Sequence, residues 1–316
     1  MSGSVLARLR RPLVVCAVLA AAAAGLLLVV WLAAPRPDNL GRKVLIRERA
    51  TGVTHPVPLA EISLSLRQAL VATEDERFYQ NHGIDLLGIA RAVPYDAAHL
   101  SFAQGASTIT DQLAKLLYLG GNDHSVWRKL EDLALALRIS TRYSKEQVLD
   151  AYLNTAYFGH GAYGVEAASR RYFGVAPSRL TLAQGSLLAG LVQAPTGYDP
   201  LVHPLAARNR QVAVLRSLVR DGYTTSEQAT RVLAAPLPLI GGRQLPALPG
   251  VSVTSEPAFA WGGLALGATL IATSLLGAIG LRRLPQRPRT RLAIKAACFG
   301  CVLLGAVTIT NSFNGL

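Results

Sequence analysis

Residues 62–83 read ISLSLRQALVATEDERFYQNHG. The stretch from Ile62 to Ala72 has the apolar character of a buried helix and runs into Glu74-Asp75-Glu76-Arg77, then a polar segment that closes on Gly83. A carboxylate at the end of an apolar helix lies half in and half out of the core, a position from which a general acid or base works. A plain helix end with a charged surface has the same pattern. The stretch therefore predicts a helix and offers Glu74 as a candidate without assigning it chemistry.

The chain around it is rich in apolar residues. Of 316 residues, 51% are hydrophobic and 16% charged, with a formal net charge of +13. The mean hydropathy of +0.31 lies above that of ordinary soluble domains. These values exclude a disordered chain and argue against a purely cytoplasmic enzyme, because the apolar residues are concentrated. Leu13 to Ala34 is an uncharged run of about 22 residues, enough to cross roughly 30 Å of hydrocarbon as a helix. Arg8, Arg10 and Arg11 precede it, which puts the N-terminus in the cytoplasm and the chain after Pro35 outside. A cleaved signal peptide is the competing reading, but the run exceeds the usual ~7–15 apolar residues. Pro257 to Leu281 is a second such run, and Leu292 to Thr310 a third, with Lys295 near its start. Arg282, Arg283, Arg287, Arg289 and Arg291 lie between them. If the first helix runs outward the second returns, so two independent charge clusters agree on one topology.

The predicted order is a cytoplasmic basic N-terminus and transmembrane helix (1–34), an extracytoplasmic domain (35–243), a linker (244–256), a transmembrane helix (257–281), a cytoplasmic arginine-rich loop (282–291) and a last transmembrane helix (292–310). The outer domain is large enough for one sizeable core. Ser144 with Gln147, Thr181 with Gln184 and Thr225 with Gln228 have capping-box spacing and open helices. Strand-like alternation is confined to about Lys43 to Arg49, so the domain is predicted to be mainly α. Cys16, Cys298 and Cys301 all fall in apolar runs, which leaves the polar domain no disulfide and no thiolate metal site. Eight of the arginines sit at the borders of the apolar runs, and with no aromatic-studded basic groove the net charge gives no reason to expect nucleic acid.

Three further clusters interrupt the apolar pattern. Gln104-Gly105-Ala106-Ser107-Thr108-Ile109-Thr110-Asp111-Gln112, ending in Lys115, offers hydroxyls and an amide at a loop-to-helix junction, as a phosphate or sugar site or an ordinary cap would. His124-Ser125-Val126-Trp127-Arg128-Lys129-Leu130-Glu131-Asp132 sets paired cations beside carboxylates, which suits an anionic leaving group or a surface ion-pair network. Residues 145–166 combine a helix with the glycines Gly159, Gly161 and Gly164, a density that usually means tight turns.

In this order and spacing, the clusters resemble the glycosyltransferase domain of peptidoglycan polymerases, found in class A penicillin-binding proteins and in monofunctional transglycosylases. Ala183-Gln184-Gly185-Ser186-Leu187-Leu188-Ala189-Gly190-Leu191, followed by Pro195, Tyr198, Asp199 and Pro200, matches a fifth motif. The similarity covers about Leu59 to Leu237. It implies a lysozyme-like helical glycosyltransferase domain, here with one N-terminal and two C-terminal transmembrane helices, in the bacterial inner membrane with the main domain facing the wall.

The resemblance implies that the 4-hydroxyl of one lipid-linked sugar attacks the anomeric carbon of the growing glycan, displacing undecaprenyl diphosphate with inversion. Glu74 is then the base and Asp132 the second acid. Asp75, Ser107, Thr108 and Gln112 line the substrate cleft, while Lys115, Arg128 and Lys129 hold the diphosphate. A divalent cation, Mg or Mn, is the one cofactor this chemistry leaves room for. The implied partners are lipid II, the nascent glycan strand, the membrane and other cell-wall synthesis proteins. The chain departs from the family at Asp111, commonly glutamine; His124, commonly arginine; Glu131, often lysine; Asp132, one methylene shorter than glutamate; and Gln184, commonly glutamate. The first three remove positive or add negative charge near the expected diphosphate. This leaves open a catalytically impaired relative that binds lipid-linked precursor or cell-wall partners, and, more remotely, a wall hydrolase. No serine stands three residues before any of the five lysines, so the penicillin-binding nucleophile motif is not expected.

Overall fold

A computed structural model describes residues 28–37, 39–51, 56–88, 107–119 and 125–254, together with residues 21 and 25. Among them the chain forms α1 (Leu40–Thr51), α2 (Leu64–Glu74), α3 (Ile109–Tyr118), α4 (Val126–Arg142), α5 (Lys145–Thr155), α6 (Val165–Phe173), α7 (Leu182–Leu191), α8 (Pro204–Arg220) and α9 (Ser226–Ala234). A short antiparallel ribbon of β1 (Leu237–Pro238) and β2 (Gln244–Leu245) follows, pairing Leu237 with Leu245. The described part is mainly helical.

Helix starts are written in the local sequence. Ser144 and Gln147, Thr181 and Gln184, and Thr225 and Gln228 each form both hydrogen bonds of a capping box, opening α5, α7 and α9. Ser63 caps α2, Thr108 caps α3 and Ser125 caps α4, each accepting from a backbone N–H of the first turn. These caps satisfy donors that the helices themselves leave unpaired.

The core is continuous from α1 to β2. In one part α2, α7 and α8 pack together; in the other α3 meets α4 and α5. Helix α7 has no polar stripe: residues 185–191 are all buried. Gly185 permits this, since a Cβ there would lie 2.9 Å from the Leu66 backbone nitrogen of α2. Arg208 of α8 is wholly buried and donates to the carbonyls of Leu233, Ala235 and Pro246 and to Gln211 Oε1. It fastens the end of α9 and the ribbon to α8, and burial pulls its pKa below the ordinary arginine value.

Two expectations are corrected. The strand expected at about 43–49 is helix α1, because Val44 is buried together with Leu40 one turn earlier, whereas Ile46, its i+2 partner in a strand, is exposed. Tyr143 reinforces the helix start by accepting a hydrogen bond from the Leu40 backbone at 3.2 Å. The linker expected to begin at 244 belongs to the domain as far as Thr254. Leu245 and Val253 are fully buried, and the backbones of Leu248 and Val253 bond to Leu233 and Thr230 of α9. Pro249 lies in a turn closed by the Val251 backbone N–H on the Leu248 carbonyl, part of a packed surface rather than free chain.

Residues 28–33 are helical, and Val30 and Ala34 pack on Ala134 of α4. Arg138 of α4 donates to the carbonyls of Trp31, Ala34 and Pro35, with its guanidinium 4.6 Å from the centre of the Trp31 ring. Among the described residues, no helix is long and apolar enough to cross a membrane. The predicted spans at 257–281 and 292–310 and the loop 282–291 lie outside the described residues, as does most of 13–34.

Candidate active site

Glu74 is the last residue of α2, and the chain leaves the helix at Asp75. The turn that follows is held from inside. Asp75 accepts from Asn81 Nδ2 at 2.8 Å and from the Ile109 backbone N–H at 3.1 Å, joining the end of α2 to the first turn of α3. Asn81 Oδ1 in turn accepts from the Gly83 backbone at 3.0 Å and from Lys145 Nζ at 2.9 Å. Thr108 donates its hydroxyl to the Gly83 carbonyl at 2.7 Å while capping α3. Gly83 has φ +89°, and a Cβ there would lie 2.5 Å from the Ala136 carbonyl of α4, so the turn sits directly on that helix.

Burial pushes the Asp75 carboxyl up to about 6, against its hydrogen bonds to Asn81 and Ile109 and the charge of Lys145. The Lys145 ammonium, 4.4 Å from the centre of the Phe78 ring, is pulled down by the same burial. Asp75 and Thr108, expected at the substrate, are instead buried at 6% and 3% exposure with their polar atoms engaged in the scaffold. Ser107 stands half-buried just before the cap, and Gln104 to Ala106 lie outside the described residues, as does His124.

Glu74 itself meets two elements besides its own helix. Gln112 Nε2 of α3 donates to Glu74 Oε2 at 2.8 Å, and Arg210 Nη2 of α8 lies 3.6 Å from Glu74 Oε1. The orientation of the Gln112 amide is set by Tyr152 of α5, whose hydroxyl donates to Gln112 Oε1 at 2.5 Å. Burial, with the Glu74 charge nearby, pushes the Tyr152 hydroxyl well above its ordinary pKa. It keeps its proton and donates to the amide oxygen, which leaves the amide NH2 to face the Glu74 carboxylate.

Lys115 follows Gln112 by three residues and therefore lies on the same side of α3, about 4.5 Å further along the axis. Its ammonium is 2.8 Å from Asp111 Oδ2 and 3.7 Å from Asp132 Oδ2 of α4. Lys129 Nζ is 3.4 Å from the same Asp111 oxygen, and Arg128 Nε is 3.6 Å from Asp132 Oδ1. Both cations of α4 belong to its first turn, where the exposed N–H groups add positive potential. Burial pushes the Asp132 carboxyl up, Lys115 opposes this and Asp111 adds to it. Glu131 is turned to the Trp127 side, accepting from its indole N–H at 2.9 Å.

The structure thus joins Glu74 to Gln112, and Lys115 to Arg128, Lys129, Asp111 and Asp132. Among the described residues no group of three or more His, Cys, Asp and Glu converges as a metal site. Asp111 Oδ1 and Asp132 Oδ1 are buried without a hydrogen-bond partner, which suits a cation that also takes phosphate oxygens. A hollow of about 380 Å³ between α2, α8 and α9 is lined by Ser65, Gln68, Tyr223 and Arg231 and by none of the candidate residues.

Arg210 and Tyr152 carry no local signal of a role; only packing brings α8 and α5 to the end of α2. The fourth and fifth clusters interlock structurally. His160, at φ 49°, sets Nδ1 3.0 Å from the buried Asp199, and a Cβ on Gly159 would meet the Pro195 carbonyl at 2.4 Å.

A helical domain with a carboxylate at one helix end and a lysine–arginine cluster on the adjoining pair defines a class that sequence comparison identifies. The profile described as Transglycosylase matches residues 42–219, and the chain belongs to this peptidoglycan transglycosylase family. It is 41% identical over 181 residues to penicillin-binding protein 2D of Bacillus subtilis, covering 57% of this chain and 26% of that protein. It is 40% identical over 173 residues to penicillin-binding protein 1A of Escherichia coli, covering 55% and 20%. A provisionally named transglycosylase of Cupriavidus necator is 42% identical over 185 residues, 58% of this chain and 78% of that one. The chain thus spans about a quarter of the length of the penicillin-binding relatives and most of the shorter one.

Proposed function

We propose that the chain polymerises glycan from lipid II by inverting glycosyl transfer, releasing undecaprenyl diphosphate at the outer face of the bacterial inner membrane. The observation that carries this reading is the bond from Gln112 to Glu74, which ties the carboxylate to the helix whose next turn bears Lys115. Glu74 takes the proton of the acceptor 4-hydroxyl as its oxygen bonds to the anomeric carbon. The bond from that carbon to the diphosphate oxygen breaks, and Lys115, Arg128 and Lys129 meet the charge that appears there. Arg210 balances the charge of Glu74 before the transfer, and Gln112 aims its Oε2. Asp132 holds Lys115 and Arg128 in place from the protein side. A divalent cation bound with the substrate phosphates, held by Asp111 and Asp132, would supply further charge neutralisation.

The test is to incubate the purified full chain with lipid II and separate the products. Extended glycan supports the reading. Soluble sugar fragments would point to a hydrolase, and no turnover at all to a binding protein.

A further inference from the structure

Asp111 is 2% exposed, stands in the first turn of α3 and places one carboxylate oxygen between two ammonium groups, at 2.8 Å from Lys115 and 3.4 Å from Lys129. Its other oxygen is buried without a hydrogen-bond partner. A fully desolvated carboxylate with an unpartnered oxygen is a poor way to stabilise a fold, because half of its hydration is lost without replacement. The lysines it holds are 40% and 48% exposed at the side chain, so solvent reaches them from the side away from Asp111. An anion arriving from solvent therefore finds both ammonium groups already engaged.

The charge balance points the same way. Three cations, Lys115, Arg128 and Lys129, face two carboxylates, Asp111 and Asp132, and leave a single net positive charge. We propose that Asp111 is a built-in placeholder for a phosphate oxygen of the leaving group: it holds Lys115 and Lys129 in the resting site and yields them when a diphosphate binds. This rests on the reading of these cations as the diphosphate holders. The placeholder keeps the lysines in position without a ligand and weakens the grip on the departing diphosphate, which favours release of that product. Glu131, bonded to Trp127, takes no part in this exchange.

The experiment measures binding of farnesyl diphosphate, with farnesyl monophosphate as control, by calorimetry on the full chain in detergent without divalent cations. Asp111→Asn and Asp111→Gln remove the charge, and thermal unfolding checks that each is folded. Either folded variant is expected to bind the diphosphate about tenfold tighter than the unaltered chain, the modest size reflecting the solvent exposure of the lysines. This gain should disappear when Lys129→Gln is added. Binding by the unaltered chain with no gain in the variants would overturn the placeholder and leave the diphosphate site standing. No binding by any form would overturn the site and the placeholder with it. Failure of both neutral variants to fold would also overturn it, by showing Asp111 to be a required structural counter-ion.

Discussion

Gln112 donates its side-chain amide to Glu74 across 2.8 Å, and the same amide is fixed from behind by the buried hydroxyl of Tyr152 at 2.5 Å. Three helices thereby aim one carboxylate: α2 carries it, α3 contacts it and α5 sets the orientation of the contact. Tyr152→Phe removes the donor that holds the amide oxygen, with the NH2 toward Glu74. Loss of one such bond is worth about 1–1.5 kcal/mol, so kcat for glycan synthesis should fall about tenfold with KM little changed. Steady-state turnover of lipid II by the folded variant checks this; an unchanged kcat would show that Tyr152 does not act through Gln112.

Asp75 gives the fold a pH dependence of defined sign. Its carboxyl titrates at about 6 in the folded chain against 3.8 for the ordinary group, so the folded state holds this proton more tightly than the unfolded chain. The resulting stability is full below the unfolded value and is lost as pH rises through about 6, about 3 kcal/mol in all. Unfolding free energy of the unaltered chain should fall relative to Asp75→Asn between about pH 4 and 6 and run parallel above. A carboxyl carbon resonance for Asp75 titrating near 4 would contradict the assignment.

Gly185 sets the distance between α7 and the helix that ends in Glu74. The Cβ of Gly185→Ala would lie 2.9 Å from the Leu66 nitrogen and 3.1 Å from its Cα, both backbone atoms that cannot rotate away. Overpacking of this kind costs about 1–3 kcal/mol. Denaturant unfolding should report that loss, and glycan synthesis should drop further than stability alone explains because α2 must shift.

Arg208→Met should destabilise the chain by about 3 kcal/mol or more, since the carbonyls of Leu233, Ala235 and Pro246 lose a buried donor together. Arg208→Lys keeps the charge but lacks the fork that reaches several acceptors, and should recover only part. Equilibrium unfolding of both variants measures this.

What could be read beforehand follows the range of each interaction. Ser144, Thr181 and Thr225 bond to groups three residues away, so spacing alone announced the starts of α5, α7 and α9. The order of the polar clusters also announced the family, and with it Glu74, Gln112, Lys115, Arg128 and Asp132 as candidates. Arg210 was not legible, because nothing within α8 indicates that its side chain crosses to α2. Helix α1 is hard to tell from a strand in the sequence because its buried positions among the described side chains are Leu40 and Val44, too short a pattern to establish a period against Leu45 and Ile46. Asp111 was legible as a departure from the family, but its position between Lys115 and Lys129 depends on how α3 packs on α4.

The central claim is that Glu74 takes the acceptor proton while the cations of α3 and α4 hold the diphosphate. Single-turnover glycan synthesis from lipid II by the full chain and by Glu74→Gln tests it most directly. The account predicts extension by the unaltered chain and a loss of about a hundredfold or more in the variant, with farnesyl diphosphate binding retained. A Glu74→Gln chain that extends glycan at the unaltered rate would contradict it.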